Sequence, residues 1–232
     1  KRQELAEEVT NRFGVSAAVL ALDLSHQKEL DRAVAHMEAD GAPDVLVHSA
    51  GFGTRGHLVE VGADNVRDMA FLHVVAGTVL ARAALPAMVK RNRGAIIMVS
   101  SLAAYFTTAH YVIYSATKAY LNSFVIGLWD ELAGSEVQAQ VLCPGLVRTG
   151  FMHTAEYGDF DYSEVPSWAW MSPEAVVRES LGKLGTKAVV VPGLFNRLFV
   201  AIMGAPIIGG LLRAVIGYAS RKRVREGKPA LF

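Results

Sequence analysis

A tyrosine and a lysine, Tyr114 and Lys118, stand four residues apart in a segment whose pattern predicts a helix over 111–133. This spacing puts both side chains on one helix face, one turn apart. Because a nearby ammonium group favours phenolate over phenol, we expect Lys118 to lower the pKa of Tyr114. A tyrosine with such a pKa can act as a general acid and base. Since this spacing is common by chance, the alternative is that Tyr114 is a half-buried helix residue.

A serine, Ser101, lies upstream of this pair and follows the apolar run 95–99, which predicts a buried strand. The carboxyl ends of strands are where open α/β sheets contact their ligands. The Ser101 hydroxyl is therefore placed to hydrogen-bond a substrate carbonyl and the oxygen of Tyr114. No GxSxG elbow surrounds Ser100 or Ser101, which disfavours a serine hydrolase.

The elements that must position these side chains alternate between strand and helix. Short apolar runs predict strands at 17–22, 44–47, 95–99, 138–142 and 189–191. Helical patterns predict helices at 1–13, 26–40, 64–91, 111–133 and 173–184. The last of these begins after Ser172 and Pro173, a favourable cap and first helical residue. This alternation is typical of a parallel sheet covered by helices, and so of an α/β fold.

The composition is that of one folded domain. The chain has 232 residues, 52% of them hydrophobic, and its 23 basic residues balance 22 acidic ones. A disordered chain, a disulfide scaffold and a nucleic-acid partner are therefore not expected. The single cysteine, Cys143, and the absence of a visible secretion signal predict a cytoplasmic protein. The seven histidines do not cluster at ligand spacing, so we expect no metal site.

Several features stand in an order that is found in one enzyme family. An aspartate follows the first predicted strand, a small pair follows the second, and a proline-glycine segment follows the fourth. With the serine, tyrosine and lysine, these residues are Asp23, Ala50-Gly51, Ser101, Tyr114, Lys118 and Pro144-Gly145-Leu146-Val147-Arg148-Thr149. Together they resemble the short-chain dehydrogenase/reductase family, and the resemblance covers nearly the whole chain. It implies a Rossmann-like, doubly wound parallel sheet and an NAD(P)-dependent oxidoreductase that reduces a carbonyl or oxidises the alcohol.

The resemblance implies a role for each matching residue. Tyr114 would give its proton to the carbonyl oxygen in reduction and take it back in oxidation. Lys118 would lower the pKa of Tyr114 and bind the nicotinamide ribose, and Ser101 would orient the carbonyl. The family is mostly dimeric or tetrameric, so the resemblance also implies a homo-oligomer. The residues that would line NADP or NAD are Asp23, Leu24, Ser49, Ala50, Gly51, Tyr114, Lys118, Pro144, Gly145, Val147 and Thr149.

One departure from the family concerns the glycine-rich TGxxxGIG fingerprint, which receives pyrophosphate at a helix N-terminus and is absent from this sequence. Residues 1–13 resemble the helix that precedes the family's third strand, so the first βαβ portion of the fold is absent from the chain. Strand 17–22 then lacks a neighbour, and strand 44–47 becomes an apolar edge. We expect a native chain longer by about 40–50 residues, the size of a βαβ unit. Strands supplied by a partner are the alternative.

A second departure replaces asparagines of the family pattern. His48 and Ser49 stand before the small pair, and His73 takes the place of a helix asparagine that supports a water-mediated proton relay. Because histidine titrates near neutrality and can hold a water, His73 is a candidate catalytic residue. The alternative is a structural histidine bonded to a backbone carbonyl. These changes also favour a competing function, that of a non-catalytic binding or scaffold protein with the family's fold.

Aromatic residues crowd the segment 151–172, which matches the family's mobile substrate loop. Because loops carry specificity and aromatic rings supply large apolar contact, we expect a lid over a bulky apolar carbonyl or alcohol, such as a lipid. The alternative is that the rings pack the loop onto the core. The aromatic residues of this segment are Phe151, Tyr157, Phe160, Tyr162, Trp168 and Trp170.

The enzyme-like domain is expected to span 1–193, and the remaining residues 194–232 differ in character. Residues 198–219 carry a single charge, Arg213, and a basic run follows at 221–225. Pro206 and several glycines argue against a membrane span. We expect this segment to pack on the same domain, on another subunit or, as an interfacial helix with a basic tail, on a membrane surface. The last case would make the protein a lipid-binding module.

Overall fold

The computed structural model describes residues 2–107, 109–153 and 165–205, together with 210, 211, 214, 215, 217–219 and 222. Its strands are β1 (Val45–His48), β2 (Gly94–Val99), β3 (Val137–Leu142), β4 (Leu146–Val147), β5 (Trp170–Met171) and β6 (Val189–Val190). Strands β1, β2, β3 and β6 lie side by side in that order and are parallel. Strands β4 and β5 form a separate short parallel pair, which the sequence pattern did not predict.

Helices connect these strands. They are α1 (Arg2–Phe13), α2 (Gln27–Ala39), α3 (Ala63–Ala70), α4 (Gly77–Lys90), α5 (Val112–Glu131), α6 (Pro173–Leu181) and α7 (Leu194–Gly204). A π-helical segment, Phe71–Ala76, joins α3 to α4 without a break. Helix α6 begins where the sequence predicted, because the Ser172 hydroxyl accepts a hydrogen bond from the Ala175 N–H at 3.2 Å.

Alternate residues of β2 face opposite layers of helices. Ile96 and Met98 lie in a buried cluster with residues of α4 and α5, whereas Ile97 packs with Val176 of α6. Helix α2 packs beside α4 through Leu30, which is fully buried. A parallel strand buried on both faces belongs to a doubly wound sheet. The predicted Rossmann-like α/β fold is therefore confirmed.

The predicted strand 17–22 is wrong, because residues 15–22 belong to no strand. Val19 and Leu20 of this segment are 39% and 47% exposed. Strand β1 pairs with β2 on one side, and among the described residues no strand lies on its other side. A segment with no neighbouring ladder has no partner for its backbone hydrogen bonds. The apolar composition of residues 17–22 is therefore not enough to make them a strand. Strand β1 forms an edge of the sheet among the described residues, as the sequence predicted.

One helical stretch of the described chain, Ala63–Lys90, is long and apolar enough to cross a membrane by length and composition alone. Three of its residues, Ala81, Ala84 and Met88, are fully buried in the cluster between α4, α5 and the sheet. This stretch is therefore the central helix of one layer of the fold. The sequence predicted it as a single helix at 64–91, without the π-helical segment.

Candidate active site

Strand β2 and the start of α5 bring Ser101 and Tyr114 together. Ser101 is the second residue after β2 and caps the 3₁₀ turn Leu102–Tyr105, since its Oγ accepts a hydrogen bond from the Ala103 N–H at 3.2 Å. Tyr114 lies in the first turn of α5, and its side chain is near enough to Ser101 for the serine hydroxyl to act on the tyrosine pKa. The two hydroxyl groups therefore meet beyond the carboxyl end of the sheet, where this class of fold binds its ligands.

The expected lowering of the Tyr114 pKa is wrong. Burial raises the pKa of Tyr114 to about 12, and the hydrogen bond with Ser101 opposes that rise without cancelling it. The Lys118 Nζ lies over the ring of Tyr114, 5.6 Å from its centre, and donates a hydrogen bond to the Val99 carbonyl at 3.0 Å. The lysine is thus held by the end of β2, and Tyr114 is a neutral phenol at pH 7.

Lys118 is a buried cation with unused hydrogen-bonding capacity. The residue is 6% exposed, and burial lowers the pKa of its ammonium group to about 8. An ammonium group has three N–H donors, and the Val99 carbonyl takes one of them among the described residues. Because buried donors need partners, Lys118 fits a ligand that brings hydroxyl oxygens, such as the ribose of a nicotinamide nucleotide. Ser49 and Gly51, after β1, are exposed on this side of the sheet.

His73 lies in the π-helical segment and is fully buried. Its Nε2 accepts a hydrogen bond from the Phe52 N–H at 3.3 Å, and its Nδ1 lies 2.9 Å from the Thr117 hydroxyl. Burial and the charge of Lys118 lower the pKa of His73 to about 2, so the ring is neutral. Both ring nitrogens are thus held by protein groups, which favours a structural role over the expected water relay. The partner is a backbone N–H and not the carbonyl considered from the sequence.

His48 ends β1 and is also buried, with 3% of its surface exposed. Burial lowers its pKa to about 4, with a further contribution from the charge of Lys118. Its Nε2 has no hydrogen-bond partner among the described residues. A Cβ at Gly77 would lie 3.1 Å from that nitrogen, so the first residue of α4 packs directly on the imidazole. Of the three replaced asparagine positions, the two that carry histidine, His48 and His73, are therefore both neutral and tightly packed.

The segment Pro144–Thr149, which follows β3, is held by contacts with the Ser101 turn and with strand β5. The Pro144 carbonyl accepts a hydrogen bond from the Leu102 N–H at 2.9 Å, which ties this segment to the turn that follows Ser101. Val147 of β4 pairs with Met171 of β5. The Thr149 hydroxyl accepts a hydrogen bond from the Phe151 N–H at 3.3 Å. The predicted cofactor-lining residues of this segment therefore stand beside the Ser101 turn.

Helix α7 covers the same end of the fold. Asn196 is buried, its Nδ2 donates to the Pro192 carbonyl at 2.7 Å, and a Cβ at Gly145 would lie 2.9 Å from its side chain. The rings of Phe106 and Phe199 meet edge to face at 5.3 Å between centroids. Helix α7 thus packs next to the turn after Ser101.

Comparison with known proteins places this geometry in a family. A family model described as short chain dehydrogenase matches residues 1–158. The chain belongs to the short-chain dehydrogenase/reductase family. An uncharacterized oxidoreductase of Bacillus subtilis is 32% identical over 192 residues, which cover 82% of this chain and 78% of that protein.

Two solved structures resemble the fold over most of this chain. A short-chain dehydrogenase from Sphingobium yanoikuyae in complex with NADPH is 26% identical, with a TM-score of 0.75 over 87% of this chain and 80% of that chain. A bulky-bulky ketone specific alcohol dehydrogenase from Comamonas testosteroni is 25% identical, with a TM-score of 0.72 over 88% of this chain and 78% of that chain.

Two residues of the short-chain dehydrogenase/reductase pattern lie apart from the Ser101 and Tyr114 pair. The exposed carboxylate of Asp23 accepts hydrogen bonds from the Ser25 N–H at 3.0 Å and the Ser25 hydroxyl at 2.6 Å, which lowers its pKa. Leu24 packs with Leu30 and Leu46 beside β1. Both residues therefore lie in the segment just before α2, which begins at Gln27.

Sequence reasoning missed Thr117 and Asn196. Thr117 lies within the tyrosine-lysine segment, three residues after Tyr114, and that spacing was a usable signal. Asn196 stands in the largely apolar segment Leu194–Gly204, and a polar residue in such a segment could have indicated a buried hydrogen bond. Of the loop aromatics, Phe151 lies 6.2 Å from the ring of Tyr114 and Trp168 lies 4.7 Å from Phe195. Tyr157, Phe160 and Tyr162 lie outside the described residues, as do Pro206 and Arg213.

Proposed function

We propose that this short-chain dehydrogenase/reductase reduces a carbonyl group, or oxidises the corresponding alcohol, with Tyr114 as the general acid and base. The observation that carries the proposal is the proximity of the Tyr114 and Ser101 side chains, with Lys118 one helical turn further along α5. A phenol with a pKa of about 12 is fully protonated at neutral pH and is therefore ready to donate. That protonation state suits the reductive direction, which consumes a proton.

The cofactor is NADP or NAD, whose nicotinamide ring supplies or accepts the hydride. The NADPH complex of the Sphingobium relative supports this assignment. In this chain, Lys118 would hold the ribose hydroxyls with its remaining N–H donors, and Ser49, Ala50 and Gly51 would line the nucleotide. The segment Pro144–Thr149, which packs beside the Ser101 turn, would face the nicotinamide end.

The proton step follows from the residues themselves. The substrate oxygen accepts hydrogen bonds from Ser101 and Tyr114, and as the carbonyl carbon gains hydride the phenol O–H bond breaks toward that oxygen. The products are an alcohol and a Tyr114 phenolate. Ser101 stabilises the phenolate by hydrogen bonding, and the buried ammonium of Lys118 stabilises it by charge. Solvent returns the proton before the next turnover.

The substrate is a bulky apolar carbonyl compound. Rings from three parts of the chain support this class: Phe151 faces Tyr114, Phe199 of α7 contacts Phe106, and Phe195 contacts Trp168. Aromatic walls favour apolar substrates because they bury large areas and offer few hydrogen bonds. The Comamonas structure, an alcohol dehydrogenase described as specific for bulky-bulky ketones, supports the same substrate class.

The experiment is a direct reductase assay with NADPH and NADH and two sets of substrates. One set contains bulky aryl or alicyclic ketones, and the other contains small hydroxylated keto acids. We expect turnover with the bulky ketones and little with the keto acids. Preference for the keto acids would contradict the apolar substrate class. Cofactor binding without turnover of any carbonyl would favour the non-catalytic alternative.

A further inference from the structure

The carboxamide of Asn196, on α7, lies directly against Gly145 in the segment that follows β3. A Cβ at Gly145 would come within 2.9 Å of both the Nδ2 and the Oδ1 of Asn196. The backbone of Gly145 is not in the left-handed region, so its conformation does not itself require glycine. What leaves no room for a larger residue at this position is therefore the carboxamide of Asn196.

Buried contacts hold the carboxamide in this place. Its Nδ2 donates a hydrogen bond to the Pro192 carbonyl at 2.7 Å and lies 3.7 Å from the Met171 sulfur. Asn196 is 7% exposed, so these contacts are shielded from water. Breaking such a buried bond without a replacement costs free energy, so the carboxamide does not readily move away from Gly145.

The first turn of α7, which carries Asn196, is itself anchored to neighbouring elements. Glu179 of α6 accepts a hydrogen bond from the Gly193 N–H at 2.9 Å, and its carboxylate pairs with Arg197 at 2.8 Å. Gly193 has a φ of 84°, and a Cβ there would lie 3.0 Å from the Met171 sulfur. Because Gly193 and Arg197 bracket Asn196 in the chain, these contacts fix the backbone from which the carboxamide projects.

Asn196 reaches the segment Pro144–Thr149 by two routes. One is the direct contact with Gly145. The other passes through Met171, which pairs with Val147 and whose carbonyl accepts a hydrogen bond from the Arg148 N–H at 3.0 Å. One side chain of α7 therefore contacts this segment at its start and also contacts the strand that pairs with its middle.

We propose that Asn196 is a positioning residue, which fixes Pro144–Thr149 in the arrangement that receives the nicotinamide end of the cofactor. It acts through Gly145 and Met171. The inference rests on the proposed function, because the role of this segment in cofactor binding is part of that proposal. Helix α7 is then a working part of the cofactor site in addition to covering it.

Hydrogen exchange and NADPH titration of Asn196→Ala test this role. Without the carboxamide the segment loses its contact at Gly145, so the amides of 145–149 should exchange about 10-fold faster in the protein without nucleotide. The dissociation constant of NADPH should rise about 10-fold, the effect of losing one good hydrogen bond. Unchanged exchange in this segment, or unchanged affinity for NADPH, would overturn the proposal.

Met203→Ala is the matched control. Met203 is a buried residue of the same helix and lies about two turns beyond Asn196. Its truncation should destabilise the fold by removing packing, but exchange at 145–149 and the affinity for NADPH should stay as in the wild type. Equal changes in Met203→Ala and Asn196→Ala would mean that α7 only stabilises the fold in general, and would overturn the proposal.

A double variant gives a result that a merely structural role of Asn196 would not produce. Gly145→Ala drives a Cβ against the carboxamide and should weaken NADPH binding about 10-fold. Asn196→Ala removes the carboxamide and opens that space, so Gly145→Ala/Asn196→Ala should bind NADPH more tightly than either single variant. Losses that simply add would overturn the proposal.

NADPH binding by the wild type separates this inference from the proposed function. A wild type that binds neither NADPH nor NADH contradicts the proposed function, and the role of Asn196 falls with it. A wild type that binds NADPH, together with an Asn196→Ala variant that binds it equally well, contradicts the role of Asn196 alone.

Discussion

His73 and Thr117 are joined by a buried hydrogen bond of 2.9 Å between Nδ1 and Oγ1. The Thr117 hydroxyl donates its proton to the Tyr114 carbonyl at 2.9 Å, so it accepts from His73. This order assigns the proton of the neutral imidazole to Nδ1 and leaves Nε2 to accept from the Phe52 N–H. His73 therefore links the loop after β1 to α5 at Thr117. The loop that would line the cofactor and the helix that carries Tyr114 are held in one arrangement.

Gly51→Ala tests this link. A Cβ at Gly51 would lie 2.6 Å from the His73 Nε2, and the imidazole is held by two hydrogen bonds and has no room to move. We expect a loss of about 1–3 kcal/mol in the free energy of unfolding and weaker NADPH binding. Gly127→Ala is the control, since a Cβ there meets nothing within 4 Å. In a Gly51→Ala/His73→Ala double variant, the losses should be less than additive. Full additivity would argue against the contact.

His73→Ala distinguishes a positioning residue from a relay residue. If His73 holds the loop and the helix together, the variant should lose affinity for NADPH and stability, and the pH profile of kcat should keep its shape. If His73 passes protons, kcat should fall while the dissociation constant of NADPH stays unchanged. Fluorescence titration with NADPH and steady-state kinetics over a pH series measure both quantities. A pure loss in kcat would contradict the positioning role.

Acid should destabilise the fold through His48 and His73. Burial lowers the pKa of His48 to about 4 and that of His73 to about 2, below the ordinary value of 6.5. Below pH 6.5 the unfolded chain binds protons that the folded chain does not, so stability is lost as the pH falls from 6.5 toward 4. The slope is about 1.4 kcal/mol per pH unit for each histidine. Urea unfolding at pH 7 and pH 5 should show a smaller loss for His48→Gln than for the wild type. An equal loss would contradict the assignment.

Lys118 should set a pH limit on the reductive reaction. Its pKa is lowered to about 8 by burial, so its positive charge is present below that pH and is lost above it. Because the charge stabilises the Tyr114 phenolate, kcat for reduction should decline as the pH rises through about 8. Lys118→Arg keeps its charge to a much higher pH and should remove this decline. A profile in Lys118→Arg that falls like the wild type would assign the decline to another group.

The sequence predicted which side chains meet at the site, but it did not predict the pKa of Tyr114 there. The spacing of Tyr114 and Lys118 and the position of Ser101 after a strand were readable, because helix and strand geometry follow from residue number. The pKa of Tyr114 was not readable, since it depends on burial and on the Val99 carbonyl that holds Lys118. Both depend on how distant segments pack.

The same distinction applies to the fold. The strands β1, β2 and β3 were predicted from their apolar runs, but the segment 17–22 has an equally apolar run and is not a strand. A segment becomes a strand only if a neighbouring strand pairs with its backbone, and the residues of the segment alone do not show whether such a neighbour exists. The short pair of β4 and β5 has two residues in each strand, too few for a periodic pattern.

The most direct test of the account is Tyr114→Phe, measured for turnover and for cofactor binding on the same preparation. Removing the hydroxyl removes the proton donor, so kcat for reduction of a bulky ketone should fall about 10²–10⁴-fold. The ring and its packing beside Phe151 and Lys118 remain, so the dissociation constant of NADPH should stay within about twofold of the wild type. Retained turnover in Tyr114→Phe would contradict the role of Tyr114 as the general acid.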